Sequence, residues 1–505
     1  MLHYYTGKLA LGADWNPGDP LGWDGTMPVS ALNVLADQLY LLIEPNPKFP
    51  EVFPYATINR PAAASLPSIA LGALLVLAIW GAGRFFLGTV GGLFAAFLAA
   101  TEPNLMGNSR WITTDIPATL MFFAVLVAIA CFVEKPTLRR FYFMAAIVAL
   151  AQITKVTNLI LIGFAGLAVC WVELSTWRNA IRTIQNLDKT PVAAEQKPAS
   201  AIINAVFGVS LKGSFLIVAA LFALQLAYSG YDPDIAVQIE SEPELVETWA
   251  TPLWALRPLV PAPYSLTVGQ ARLHNHLGHS AFFWGNHYTH GDWRFFPFAV
   301  LVKTPLPLLL LALCGLGFYR KIPRALWLIL FASAVYFLYF CFLVNVNIGL
   351  RHVLQVYPAM ILLAAFGAQQ LWSYTLLPQY NKIKKPLFGL IALLLVWSGS
   401  IVVYTYPHYA SYFNPLVGGP YEGWKYLSDS NVDFDQDRNQ IHEWIAQQET
   451  PVHLHPRTPV SGTIVTRALL LNGITAEDRE AMAWLREEHE PVARLSPAVF
   501  VYEVP

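Results

Sequence analysis

The sequence predicts an all-α polytopic membrane protein: a bundle of about ten transmembrane helices with a small α/β region at its C-terminus. Three observations predict it. Hydrophobic residues make up 55% of the 505-residue chain and charged residues 13%, with a mean hydropathy of +0.45. Apolar runs of roughly 20 residues, long enough to cross a ~30 Å hydrocarbon core as helix, alternate with short polar connectors. Lys and Arg collect in every second connector, the asymmetry that orients membrane helices.

The spans are expected at 63–83, 86–103, 113–133, 138–154, 157–174, 213–229, 304–319, 324–343, 353–375 and 386–406. The basic connectors between them hold, in order, Arg84; Lys135, Arg139 and Arg140; Arg178, Arg182, Lys189, Lys197 and Lys212; Arg320, Lys321 and Arg324; and Lys382, Lys384 and Lys385. The positive-inside bias assigns this side to the cytoplasm. The three short connectors opposite hold one basic residue each, Arg110, Lys155 and Arg351. One such residue per turn is too few to set topology and suggests a task.

This map places a first outer loop at 1–62, an N-terminal bundle at 63–174 and a cytoplasmic connector at 175–212. A C-terminal bundle follows at 213–406, with a large outer loop at 230–303, and an outer region at 407–505. Residues 1–62 would have to cross the membrane without a visible helix, so an upstream, eleventh helix is expected. Within the connector, 201–211 reads as an amphipathic stretch lying on the cytoplasmic surface. The outer loop opens with Glu240, Glu242, Glu244 and Glu247, a solvated helix by pattern, and continues from Phe282 to Lys303 as an aromatic interfacial segment. The tail is read as helix at 437–448 and 476–488, with strands at 462–466 and 497–503.

The net charge of −1 leaves no basic domain, and no nucleic-acid motif is present. Cys131, Cys170, Cys314 and Cys341 all fall within predicted helices. They read as small apolar packing residues, not disulfide or metal groups.

Asp115, at the outer end of the 113–133 helix, is a candidate catalytic group, because a carboxylate at a membrane boundary is costly unless paired or wet. The bland alternative is a charge favouring the helix N-terminus. Lys155 reads equally as a snorkelling lysine and as a point charge for phosphate. Arg351 stands in Asn-Val-Asn-Ile-Gly-Leu-Arg-His, beside Asn347 and His352, where a guanidinium matches phosphate oxygens bidentately. Residues 285–305 combine His287, Trp293 and Lys303 in a string whose aromatics suit sugar faces and whose polar groups suit hydroxyls. The alternative there is an interfacial aromatic belt. His274, His276, His279, His287 and His290 fit no standard zinc spacing. The string Asp429 to Asp437, including Asp433, alternates oxygen ligands but lacks the Gly and Glu of a calcium loop. A turn docking at the mouth of a site is the competing reading.

Several of these pieces fall in a recognisable order: Leu-Ala-Ala-Thr-Glu-Pro with Thr-Thr-Asp115, Ile-Thr-Lys155, and Gly-Asp-Trp-Arg-Phe-Phe-Pro with Val-Lys303-Thr-Pro-Leu-Pro. Asn-Ile-Gly-Leu-Arg351-His, Tyr-Phe-Asn-Pro-Leu-Val-Gly-Gly-Pro (412–420) and Asp-Ser-Asn-Val-Asp-Phe-Asp-Gln-Asp (429–437) follow. Over roughly residues 1–445 the chain resembles bacterial polyprenyl-phosphate-dependent glycosyltransferases related to dolichyl-phosphate-mannose–protein mannosyltransferases. The resemblance implies a C-type glycosyltransferase fold, in the plasma (inner) membrane, with a site facing the periplasm or exterior. It implies a polyprenyl-phosphate-linked sugar as donor and an acceptor hydroxyl on a protein, lipid or glycan.

On this likeness Asp115 is catalytic, and Arg351, Lys155 and Lys303 hold the donor phosphate. His352, Asn347, His287, Trp293 and Asp433 contact substrate. The mechanism demands no cofactor; a divalent cation is possible but not supported, and the resemblance does not settle it. The family's acidic pair, the expected general base, lies just upstream of where this chain resembles it; Asp14, Asp19 and Asp24 remain in the first loop outside that motif. A guanidinium at Arg351 and a carboxylate at Asp115 are expected to converge on the lipid-borne anion. The alternatives are a secondary transporter and a catalytically degenerate membrane scaffold. Transporters place polar groups near the midplane, often in inverted repeats. Here they sit at helix ends, and no repeat is visible.

Overall fold

The computed structural model describes residue 11 and residues 27–43, 61–187, 191–231, 255–256 and 258–505. The first-loop residues Asp14, Asp19 and Asp24 and the acidic stretch at 240–247 lie outside the described residues. In chain order the longer helices are Ala31–Ile43, Pro61–Ala100, Asp115–Glu134, Leu138–Ala151, Ile160–Leu187, Pro191–Ala227 and Ala262–Leu277. They continue with Phe295–Lys303, Leu306–Gly317, Arg324–Leu343, Tyr357–Thr375 and Asn381–Thr405. Among the described residues seven helices are long and apolar enough to cross a membrane. The pair Phe295–Lys303 and Leu306–Gly317, bent by 110°, makes an eighth. The bend falls where Thr304 is extended and Pro305 interrupts the helical hydrogen bonds.

The difference from ten has identifiable causes. The expected spans at 63–83 and 86–103 run as one helical path, broken at Gly88 with φ +83°. A side-chain carbon built on Gly83 would stand 2.9 Å from Ala95 Cβ and 3.1 Å from Gly92 Cα. In a straight helix Gly83 and Ala95 would be about 18 Å apart. The chain therefore doubles back at Gly88, and only glycine adopts that backbone without strain. The span expected at 138–154 is a helix of 14 residues, Leu138–Ala151, roughly 21 Å long and short of the hydrocarbon thickness.

The stretch at 201–211 is not a separate surface helix. It belongs to the continuous Pro191–Ala227 helix, and Ile203, Val206 and Phe207 are exposed apolar residues on it. Lys212, expected in a connector, lies within the apolar Ile202–Ala227 stretch. Its ammonium stands 2.5 Å from Glu173, which supplies the countercharge that a cation at such a position needs. All four cysteines are free and lie in helices.

The chain divides into two compact units. The first comprises residues 1–71, 112–272 and 324–332. Its centre is the Asp115–Glu134, Leu138–Ala151, Ile160–Leu187 and Pro191–Ala227 helices packed side by side. Met27, Val34, Ala64, Leu224, Tyr228 and Tyr264 form an apolar cluster. Asn33 donates to the Ala64 carbonyl at 2.6 Å, fixing the Ala31–Ile43 helix to the start of the next.

The second unit comprises residues 72–111, 273–323 and 333–505. Its tightest helix pair is Leu306–Gly317 against Tyr357–Thr375. Two glycines permit the approach: a side-chain carbon on Gly315 would lie 2.3 Å from the Leu363 carbonyl oxygen, and one on Gly367 2.2 Å from that of Leu311.

Residues 281–288 form a hairpin of strands β1 (Ala281–Phe283) and β2 (Asn286–Tyr288). Beyond Thr405 a run of short 3-10 turns reaches Asn431. Gly418 and Gly419, at φ +81° and +78°, make the consecutive left-handed turn that ends one of them. The C-terminal sheet has the order β3 (Val452–Leu454), β4 (Gly462–Arg467), β6 (Val499–Val504), β5 (Ala493–Ser496). The β3–β4 pair is parallel and the others antiparallel. Ile441 on the Arg438–Ala446 helix packs with Val465, Val499 and Val501. The expected helix at 437–448 and strands at 462–466 and 497–503 thus appear within a residue or two, and the 476–488 helix is split at Met482.

Candidate active site

Two groups of polar residues stand out, one in each unit. In the first unit Lys155 Nζ lies 2.5 Å from Asp115 Oδ1, with side-chain exposures of 12% and 1%. Asp115 opens its helix, and Lys155 ends the tight turn after Leu138–Ala151. That turn is braced from inside. Thr154 Oγ1 donates to the Ala151 carbonyl at 2.7 Å, and Asn158 Nδ2 donates to Thr154 Oγ1 at 3.0 Å and to the Ala118 carbonyl at 3.3 Å. The sequence offered Lys155 equally as a phosphate ligand and as a snorkelling lysine, and Asp115 as a carboxylate that must be paired or wet. The fold makes each the other's counterion, which offsets part of the cost of burying either charge.

In the second unit Arg351 lies in the Leu350–Val356 turn, at the entry to the Tyr357–Thr375 helix. It lines a small polar pocket with Asn104, Asn108, Trp111, Lys303 and Phe434. Its guanidinium sits over the Phe434 ring at 5.2 Å, and the Trp111 and Phe434 rings are stacked with centroids 5.4 Å apart. Cation and aromatic planes therefore share one wall. The backbone beside Arg351 is fixed by Asn431, whose Oδ1 accepts from the Leu350 N–H at 3.0 Å.

Behind that wall runs a chain of buried hydrogen bonds. Glu102 Oε2 accepts from the Leu105 N–H and Oε1 from Asn104 Nδ2, both at 2.6 Å. Asn104 Nδ2 also donates to the Lys303 carbonyl at 2.7 Å. Lys303 Nζ donates to the Ala410 carbonyl at 2.7 Å and to that of Asn431, and lies over Phe413 at 4.5 Å. Lys303 is 2% exposed and Glu102 1%. Burial pushes the Glu102 carboxyl up to about 7; the Asn104 and Leu105 hydrogen bonds and the Lys303 charge act the other way. Lys303 thus ties 410 and 431 to the pocket while lining it.

The remaining expected contacts are dispersed through the second unit. Asn347 is buried and donates to the Asp292 carbonyl at 3.1 Å. The His352 carbonyl accepts from Tyr336 at 3.2 Å, and its ring lies near Phe340. The His287 ring contacts the Asn472 carbonyl at 2.7 Å, and Trp293, an exposed residue, stacks on Phe342. Asp292, in the same string, is clasped by Arg294, whose hydrogen bonds hold its carboxyl below the usual range.

The carboxylates of the 429–437 string turn to different partners. Asp433 lies 3.6 Å and Asp435 2.7 Å from Arg467. Asp437 pairs with His408 at 3.1 Å and accepts from Ser496 at 2.5 Å. Burial pushes Asp433 up to about 6, against the pull of Arg467. Among the described residues no three His, Cys, Asp or Glu side chains gather to hold a metal ion.

Glu102, Asn104, Trp111, Phe434 and Arg467 were not singled out from sequence. Glu102 and Phe434 fall inside quoted motifs, but only the fold shows their partners.

Residues 55–185 match the family model described as dolichyl-phosphate-mannose-protein mannosyltransferase. No curated protein matches the chain. Among solved structures it is similar to ArnT from Cupriavidus metallidurans in the apo state, at 12% identity and a TM-score of 0.46, over 99% of this chain and 92% of that one. ArnT bound to undecaprenyl phosphate aligns at 13% identity and a TM-score of 0.45, with the same coverage. The archaeal oligosaccharyltransferase AglB from Archaeoglobus fulgidus, in complex with an inhibitory peptide and a dolichol-phosphate, aligns at 12% identity and a TM-score of 0.42. That alignment covers 80% of this chain, which spans about half the length of AglB, 50%.

Proposed function

We propose that this chain is a membrane glycosyltransferase that moves a sugar from a polyprenyl-phosphate carrier to an acceptor hydroxyl, with inversion, on the outer face of the membrane. The observation that carries this reading is the Arg351 pocket: a permanent cation beside stacked aromatic rings, with the buried amine of Lys303 lining the same pocket, at the entry to an apolar helix. The family match at 55–185 supports the choice of donor.

The chemistry follows from the leaving group. As the acceptor oxygen bonds to the anomeric carbon, the carbon–oxygen bond to phosphate breaks and its electron pair leaves with the phosphate. That group is already anionic, so it needs positive charge held in place more than a proton. Arg351 supplies bidentate hydrogen bonds and keeps its charge at any working pH. In the same pocket Asn108 Oδ1, a buried acceptor with no partner among the described residues, suits a donated hydroxyl. The acceptor proton requires a base. Asp115, ion-paired with Lys155, is the carboxylate we propose for a catalytic role.

The test is transfer by the purified full chain in liposomes, from polyprenyl-phosphate-linked radiolabelled mannose, glucose or galactose to envelope acceptors. The reading expects label on an acceptor from at least one carrier. Absence of transfer from all three sinks it.

A further inference from the structure

A second polar cleft lies on the C-terminal α/β region, and the reaction above does not use it. It has a volume of about 200 Å³ and is lined by Asp435, Arg438, His442, Leu454, His455 and Arg467. Two buried atoms in its network have no hydrogen-bond partner among the described residues: Nε of Arg467 and Oδ2 of Asp433, the carboxylate beside Arg467. Buried polar atoms left in that state cost stability unless something completes them. Two lining residues, Asp435 and His455, take left-handed backbone at φ +63° and +52°, where non-glycine residues are uncommon.

Two guanidiniums and two carboxylates meet at the cleft: Arg467 and Arg438 both engage Asp435, at 2.7 and 2.5 Å, and the buried Asp433 lies 3.6 Å from Arg467. Burial pushes His455 down to about 4, so its ring is neutral near pH 7; Nδ1 meets Thr466 Oγ1 at 3.4 Å, which leaves Nε2 for a ligand. An ion entering would meet no net charge on these four groups. A neutral polyol would meet donors and acceptors at close spacing, with the apolar edges of Ile441 and Leu454 beside them.

Position supplies the second argument. Phe434 lines the Arg351 pocket and Asp435, the next residue, lines this cleft. The two linings thus meet at consecutive residues of the same unit. We propose that this cleft is a saccharide subsite, holding one sugar ring of a glycan acceptor beside the donor pocket. The assignment rests on the glycosyltransferase reading for the choice of a sugar, and it names the acceptor class that reading left open.

Binding is tested without any donor, so a failure of transfer and a failure of this site give different results. Saturation-transfer NMR on the detergent-solubilised full chain uses methyl mannopyranoside, methyl glucopyranoside and methyl galactopyranoside as probes, with inorganic phosphate and undecaprenyl phosphate as competitors. At least one glycoside is expected to bind saturably. Its affinity is expected to fall at least tenfold in Arg467→Gln and in His442→Leu, the latter at an exposed position that keeps the fold intact. Neither competitor is expected to displace it. Absence of binding by all three glycosides, unchanged binding in His442→Leu, or displacement by either competitor overturns the proposal. Glycoside binding in a chain that transfers no sugar would defeat the transferase reading and leave the cleft assigned.

Discussion

Lys155 and Asp115 form an ion pair 2.5 Å long in which the carboxylate is almost wholly buried. Such a pair contributes little net stability against an apolar substitute, but breaking it from one side strands a charge. Lys155→Met alone is expected to destabilise the fold by about 3–5 kcal/mol. The double variant Lys155→Met/Asp115→Asn should recover most of that loss. Thermal unfolding of the four species in one detergent checks this. Equal destabilisation in the single and double variants would show that the pair does not act as a unit.

Glu102 contributes a pH dependence of definite sign between about pH 4.5 and 7. Its folded-state value of about 7 lies above the ordinary 4.5, so the folded chain binds the proton more tightly than the unfolded one. The corresponding stability is fully present below about 4.5 and is lost as pH rises through about 7. At about 1.4 kcal/mol per unit the change amounts to roughly 3 kcal/mol. Glu102→Gln is expected to flatten this slope between pH 5 and pH 8, measured by chemical unfolding at each pH. An unchanged slope would place the titration elsewhere.

Gly367 sits where the Leu311 carbonyl oxygen would lie 2.2 Å from an added carbon, with the Gly315 backbone also in the way. Because both obstacles are main chain, neither yields by a rotamer change. Gly367→Ala is expected to cost about 1–3 kcal/mol, the range of overpacked interiors. Gly317→Ala, with open space around the added carbon, should be neutral or stabilise by up to about 1 kcal/mol. Comparing the two melting temperatures tests whether this helix pair is as close as described.

Much of the fold was legible because burial in lipid demands long apolar runs, and those runs are written locally. The strands near 462–466 and 497–503 were legible for the same kind of reason, as short β-branched and aromatic stretches. Gly88 was harder. A lone glycine in an apolar run signals flexibility, and only its contact partners show a reversal. The 201–211 stretch misled because Lys212 looked like a connector charge, when Glu173 on the neighbouring helix neutralises it. Among the candidate residues, Asp115 in the first unit and Arg351 in the second stood out because isolated charges beside apolar helices are costly. Glu102 did not, although it is equally buried. Its partners Asn104 and Leu105 are local, but the Lys303 carbonyl that Asn104 also reaches lies 199 residues away, and no spacing rule reports such a pairing.

The central claim is that Arg351 holds a lipid-borne phosphate. Its most direct test is the affinity of the purified full chain for undecaprenyl phosphate, measured by native mass spectrometry for the wild type, Arg351→Lys and Arg351→Gln. A bidentate guanidinium contact predicts at least a tenfold loss in Arg351→Gln and a smaller loss in Arg351→Lys, which keeps the charge but not the fork. Equal affinity in all three proteins would contradict the account.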